Sequence, residues 1–110
     1  MHFTVATLAR SLAVDESTVR TWVQISKSIR PISRRVGGKR VFDTDDTLAI
    51  AMAVSLLRLG VPVSPEVLAE IIPIAFSGQR SGSVTIRSNG AASVTIDLAA
   101  ALATIKEQPQ

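Results

Sequence analysis

The sequence predicts a mainly α-helical fold with a small β component. Apolar residues recur at helical spacing in five separate stretches, whereas only two short segments alternate instead, each around a glycine-containing break. At 110 residues one hydrophobic core is the natural expectation. A hydrophobic fraction of 46% against 19% charged residues fits a folded globule better than a disordered chain.

The first helix is expected from Thr4, whose hydroxyl can accept a free first-turn amide, through about residue 12. Val5, Leu8, Ala9 and Leu12 form its apolar face, and Phe3 sits just ahead, able to staple against Leu8 or cover the core edge. Ala13 and Val14 interrupt, and Asp15 or Ser17 can cap a second helix with Val19, Trp22 and Val23 on one side. The spacing of Ala9, Ala13, Val19 and Trp22 matches a helix-turn-helix skeleton: a small residue in helix one, a small residue in the turn, two anchors on helix two. A glycine tolerant of positive φ is usual in that turn, so Ala13 is expected to carry strain there.

Pro31 ends the helical stretch. Ile32, Val36, Val41 and Phe42 then flank a Gly37-Gly38 tip bordered by Arg34, Arg35, Lys39 and Arg40, which reads as a small basic β-hairpin, a wing. Thr44, with Asp45 and Asp46 behind it, is expected to start a third helix that ends at Leu59 before Gly60. That helix is apolar on most of its circumference and is therefore central or partnered. Ser64 and Pro65 open a fourth helix through Val67, Leu68, Ile71 and Ile72, until Pro73 weakens it.

The polar stretch 79–82 is the best candidate boundary, separating residues 1–76 from 83–110 with 77–82 as linker. Beyond it, Ser83-Val84-Thr85-Ile86 is echoed by Ser93-Val94-Thr95-Ile96 around Asn89-Gly90, a second β-hairpin. Asp97 can cap a last helix reaching about residue 106, with 107–110 a frayed tail. The expected architecture is thus a winged helix-turn-helix followed by a β-hairpin and a C-terminal helix.

From residue 3 to about 74 the sequence resembles the MerR-type winged helix-turn-helix DNA-binding domain. The matching residues are Ala9 and Val14, then Thr18-Val19-Arg20 followed by Trp22, then Pro31 and Arg34. Gly38-Lys39-Arg40-Val41-Phe42 with Thr44-Asp45-Asp46 looks like the family's wing motif and the helix cap behind it, and 59–64 sits where the family joins its third and fourth helices. Thr21, Val23 and Lys39 depart from the pattern, and no heptad run follows Ile74, so the family's long dimerising coiled coil and its effector part have no counterpart. The resemblance implies a DNA-facing surface with Arg20 on the recognition helix and Arg40 on the wing.

Charge is distributed accordingly. Through Asp43 eight basic residues face three acids, a balance of +5, and from Thr44 onward four face six, a balance of −2, together the net +3. Such asymmetry points to a polyanion partner for the N-terminal part. Arg20 can pair bidentately with guanine N7 and O6; the plainer reading is a surface ion pair with Glu16 four residues earlier. Ser17, Thr18 and Thr21 are short hydroxyl donors suited to phosphates or base edges, or else to capping and solvation. Arg34, Arg35, Lys39 and Arg40 supply phosphate contacts, with Lys27 counted among them, unless they are an ordinary solvated charge run. Trp22 reads as a core anchor.

Catalysis is not expected: the one histidine is His2, Cys and Tyr are absent, and Asp45 and Asp46 fit a helix cap better than an acid/base pair. No cofactor, metal or small-molecule effector is evident. No leader or apolar run long enough to span a membrane is visible, and the lack of cysteine fits a reducing cytoplasm. The expected function is sequence-specific binding of double-stranded DNA, as a small transcriptional regulator that forms a homodimer through its C-terminal segment. The alternatives are an excisionase-like architectural factor and, in a different class, a protein-interaction adaptor using the apolar third helix and the C-terminal hairpin.

Overall fold

Four of the five helix starts among the described residues are set by short oxygen-bearing side chains, which accept amides that a first turn leaves without partners. The computed structural model describes residues 3–87 and 93–105. Strand β1 (Phe3–Thr4) leads into helix α1 (Val5–Leu12). There the Thr4 hydroxyl accepts the Thr7 amide at 3.3 Å, and the Thr7 hydroxyl accepts the Thr4 amide at 2.8 Å. Ala13 closes α1 with a φ of 56°, the one positive φ outside glycine among the described residues, as its place in the turn leads one to expect. This left-handed step lets the Val14 amide reach the Ala9 carbonyl at 3.0 Å. Helix α2 (Glu16–Ser26) follows with Asp15 at the cap, where its backbone carbonyl, not its carboxylate, receives the first amides.

Strands β2 (Arg34–Val36) and β3 (Lys39–Phe42) form the expected hairpin, closed by Gly37 and Gly38 at φ 58° and 80°. Two consecutive positive φ values match the twist of a two-residue hairpin turn, a geometry that glycine adopts at no steric cost. Unforeseen is β1, which pairs with the other edge of β3 (Phe3 with Phe42, Thr4 with Val41) and makes a three-stranded sheet of order β1-β3-β2. Phe3 and Phe42 are both buried there, fastening the hairpin to the start of α1.

Helix α3 (Thr44–Arg58) begins at Thr44 as expected, with Asp43 just ahead of it as the cap. Asp43 accepts the Asp46 amide at 3.4 Å while Asp46 accepts the Asp43 amide at 3.1 Å, a reciprocal capping box. Asp46 is itself buried. Burial foremost, then hydrogen bonding to the Asp43 side chain and the nearby charges of Asp43 and Asp45, pushes its carboxyl up from 3.8 to about 7 against the opposing backbone hydrogen bond. Every residue from Leu48 to Val54 is buried, so the all-round apolar character of α3 reflects a central position. Helix α4 (Pro65–Ala75) starts at Ser64 as expected. It runs past Pro73 rather than weakening there: Pro73 and Ala69, whose carbonyl it leaves without a helical donor, both lie on the exposed side, while Ile71, Ile72 and Ala75 remain in the core.

Strands β4 (Ser83–Arg87) and β5 (Ser93–Asp97) pair antiparallel with Val84 opposite Ile96 and Ile86 opposite Val94, so the two sequence echoes face one another. Ile86 and Ile96 point into the core and the Ser/Thr rows point out. The Asn89-Gly90 turn lies outside the described residues, as do His2 and the tail 106–110. Helix α5 (Leu98–Ala103), capped by Asp97, ends earlier than the expected limit near 106, with the Thr104 hydroxyl turned back onto the Ala101 carbonyl at 2.6 Å. The stretch 77–82 connects α4 to β4, and both sides of it contribute to one cluster: Ile86, Ile96, Leu98 and Ala101 join the residues of α1 to α4. Within that connection Arg80 forms an ion pair with Asp45 at the start of α3. Among the described residues no helix is long and apolar enough to cross a membrane.

Candidate functional site

Burial of Val19, Trp22 and Val23 decides which side of α2 faces outward, and burial of Ile32, Phe42 and Phe3 decides where the hairpin stands. Between them opens a cleft of about 550 Å3. Its base is the first turn of α1 (Thr4, Val5, Ala6), where the helix macrodipole is positive. One wall is a stripe on α2, Glu16, Arg20 and Gln24, spaced four residues apart and hence stacked on one face. The other wall is the hairpin, which contributes Arg35, Lys39 and Arg40.

Four cations therefore face one carboxylate. Arg20 is held by Glu16, Nη2 to Oε1 at 3.0 Å, with the two side chains 63% and 47% exposed. Exposed pairs of this kind are worth ~0–1 kcal/mol and exchange readily for other partners. Arg40 donates to the Ser33 hydroxyl at 2.7 Å and Arg35 to the Gly38 carbonyl at 3.2 Å, which orders both guanidinium groups without neutralising them. Lys39 is exposed and has no partner among the described residues. A concave surface with fixed, unneutralised cations at a helix N-terminus has the chemistry to hold anionic oxygens.

Of the residues singled out from sequence, Arg20, Arg35, Lys39 and Arg40 meet in this cleft, and the other five do not line it. Arg34 stands exposed at the start of β2, and Lys27 caps the C-terminal end of α2. Ser17 and Thr21 lie on the exposed side of α2, with the Thr21 hydroxyl donating to the Ser17 carbonyl at 2.8 Å. Thr18 is half-buried. Two polar side chains on the α2 wall are not among the contacts expected from sequence. Gln24 could have been found from its place four residues after Arg20, and Glu16 enters there only as an ion-pair partner.

Comparison of the chain with protein-family models, with curated proteins and with solved structures finds no match.

Proposed function

We propose that this protein binds double-stranded DNA in a sequence-specific manner, as a small transcriptional regulator built on a MerR-like winged helix-turn-helix. In this reading α1 and α2 are the helix-turn-helix, with α2 in the major groove, and the β2–β3 hairpin is the wing on the adjacent backbone or minor groove. One observation carries it: cations from the helix and from the hairpin converge on a single cleft at the start of α1. Arg20 and Gln24, on the α2 wall, have side chains that suit guanine and adenine edges respectively. Arg35, Lys39 and Arg40 supply charge to the phosphates.

The reading includes a second copy of the chain. Leu59, 62% exposed, lines a largely apolar groove of about 280 Å3 between the end of α3, β5 and α5. One recognition helix reads only a few base pairs, so two on a two-fold axis would supply useful specificity. The adaptor alternative loses most of its surface, because α3 spends its apolar circumference inside its own chain.

Titration of a fluorescent duplex of about 20 base pairs at several salt concentrations tests both parts. Three to four phosphate contacts per chain give a log–log slope of about −3 to −4 per bound chain, at two chains per duplex. A flat salt response, or no retardation of any duplex at low salt, removes DNA as the partner.

A further inference from the structure

We infer that Glu16 is a specificity-determining residue of the cleft: it holds Arg20 so that the guanidinium addresses a base edge and not a phosphate. The inference rests on the DNA reading above and names how that site discriminates.

The geometry is that of a single charged tether inside a basic surface. Among the described residues Glu16 is the one carboxylate lining the cleft, and it engages Arg20 through Nη2 alone, at 3.0 Å. A guanidinium has five N–H donors, so four remain after that contact, enough for the two-pronged contact to guanine O6 and N7. A phosphate makes a different demand. It can take the same free donors but then stands beside the Glu16 carboxylate, and to become the sole ion-pair partner of Arg20 it must displace that carboxylate, which is left unpaired in front of a polyanion. That exchange trades one exposed ion pair for another and adds a repulsion. On a duplex with guanine in reach the tether stays intact; on one without, Arg20 has no favourable partner. The remaining cleft cations, Arg35, Lys39 and Arg40, have no carboxylate partner among the described residues and can serve phosphates indiscriminately. Glu16 thus acts as a repulsive element against wrong sequences, a device that lowers affinity in general in order to raise selectivity.

Exposure of Glu16 makes the isosteric variant Glu16→Gln suited to a direct test in the full chain. Two probes are used: a duplex recovered by selection from a random pool, and a scrambled duplex of the same composition, each titrated over a range of salt. Glu16→Gln is expected to bind the scrambled duplex about tenfold tighter and the selected one only about twofold tighter, narrowing the ratio between them about fivefold. Its salt slope on the scrambled duplex should steepen by about 0.9, the signature of one added phosphate contact. In an Arg20→Gln background the same substitution should leave the slope unchanged, since the residue it releases is gone. Equal tightening on both duplexes with the same increment in either background overturns the inference, reducing Glu16 to one unit of bulk charge. A wild-type chain for which selection enriches no sequence overturns the DNA reading itself, a different result from selective binding that Glu16→Gln retains.

Discussion

At Ala13 side chain and backbone are in conflict. Its φ of 56° places Cβ against the following carbonyl, a conformation costing an L-residue ~1–2 kcal/mol, and α1 cannot hand over to α2 without it. Glycine removes that cost but gives the unfolded chain more freedom, worth ~0.4–1 kcal/mol in the other direction. Ala13→Gly is therefore expected to stabilise the fold by up to about 1 kcal/mol, read as a higher urea midpoint at unchanged slope. A lower midpoint would mean that the turn tolerates alanine without strain. This residue is legible from sequence because its demand is local, set by its spacing from Ala9 and Trp22. Arg20 is legible in kind but not in state: its pairing with Glu16 follows from spacing, yet that the pair stands inside a cleft opposite Arg35, Lys39 and Arg40 depends on where the hairpin is placed.

At the scale of an element, α3 carries the group among the described residues whose proton affinity the fold clearly shifts. Its folded carboxyl at Asp46 lies near 7 where an unconstrained aspartate lies near 3.8, so the fold favours the neutral form. The stabilisation it contributes is complete below about pH 4 and is lost as pH rises through 7, each tenfold difference in proton affinity between folded and unfolded chain corresponding to about 1.4 kcal/mol. Asparagine keeps a side-chain carbonyl that can accept the Asp43 amide and cannot ionise. Asp46→Asn should match the wild type near pH 4 and exceed it at pH 8 by ~1–4 kcal/mol in chemical denaturation. A wild type more stable at pH 8 than the variant would show that the cap prefers the charged carboxylate. Periodicity makes α1 to α4 readable, since each buries one stripe or, for α3, nearly all of its surface. Strand β1 is not readable: two residues are too few to alternate, and only the tertiary pairing of Phe3 with Phe42 makes them a strand. Asp43 escapes a reading that seeks the cap in Thr44, although the reciprocal bond to Asp46 three residues on is the stronger signal.

The whole molecule divides by charge but not by core. The +5 half carries the cleft and the −2 half contains all of α3 and α4 and the second sheet, yet one apolar cluster runs through both. Ile86, Ile96 and Leu98 are each at most 4% exposed, packed into the cluster that α3 and α4 build. At ~1.5–3 kcal/mol for each fully buried aliphatic side chain, losing three removes ~5–9 kcal/mol, comparable with the ~5–15 kcal/mol by which whole domains are stable. Loss of the covering strands and α5 would also put apolar surface of α3 in water. Residues 1–82 alone are thus expected to show no cooperative thermal or urea transition by circular dichroism, although every cleft residue is present. A truncated chain that melts cooperatively at the wild-type midpoint would make the second sheet and α5 an appendage. The expected collapse would assign them a different role: they brace α3, α3 and the β1–β3 pairing brace the hairpin, and only then do Arg35, Lys39 and Arg40 stand opposite Arg20.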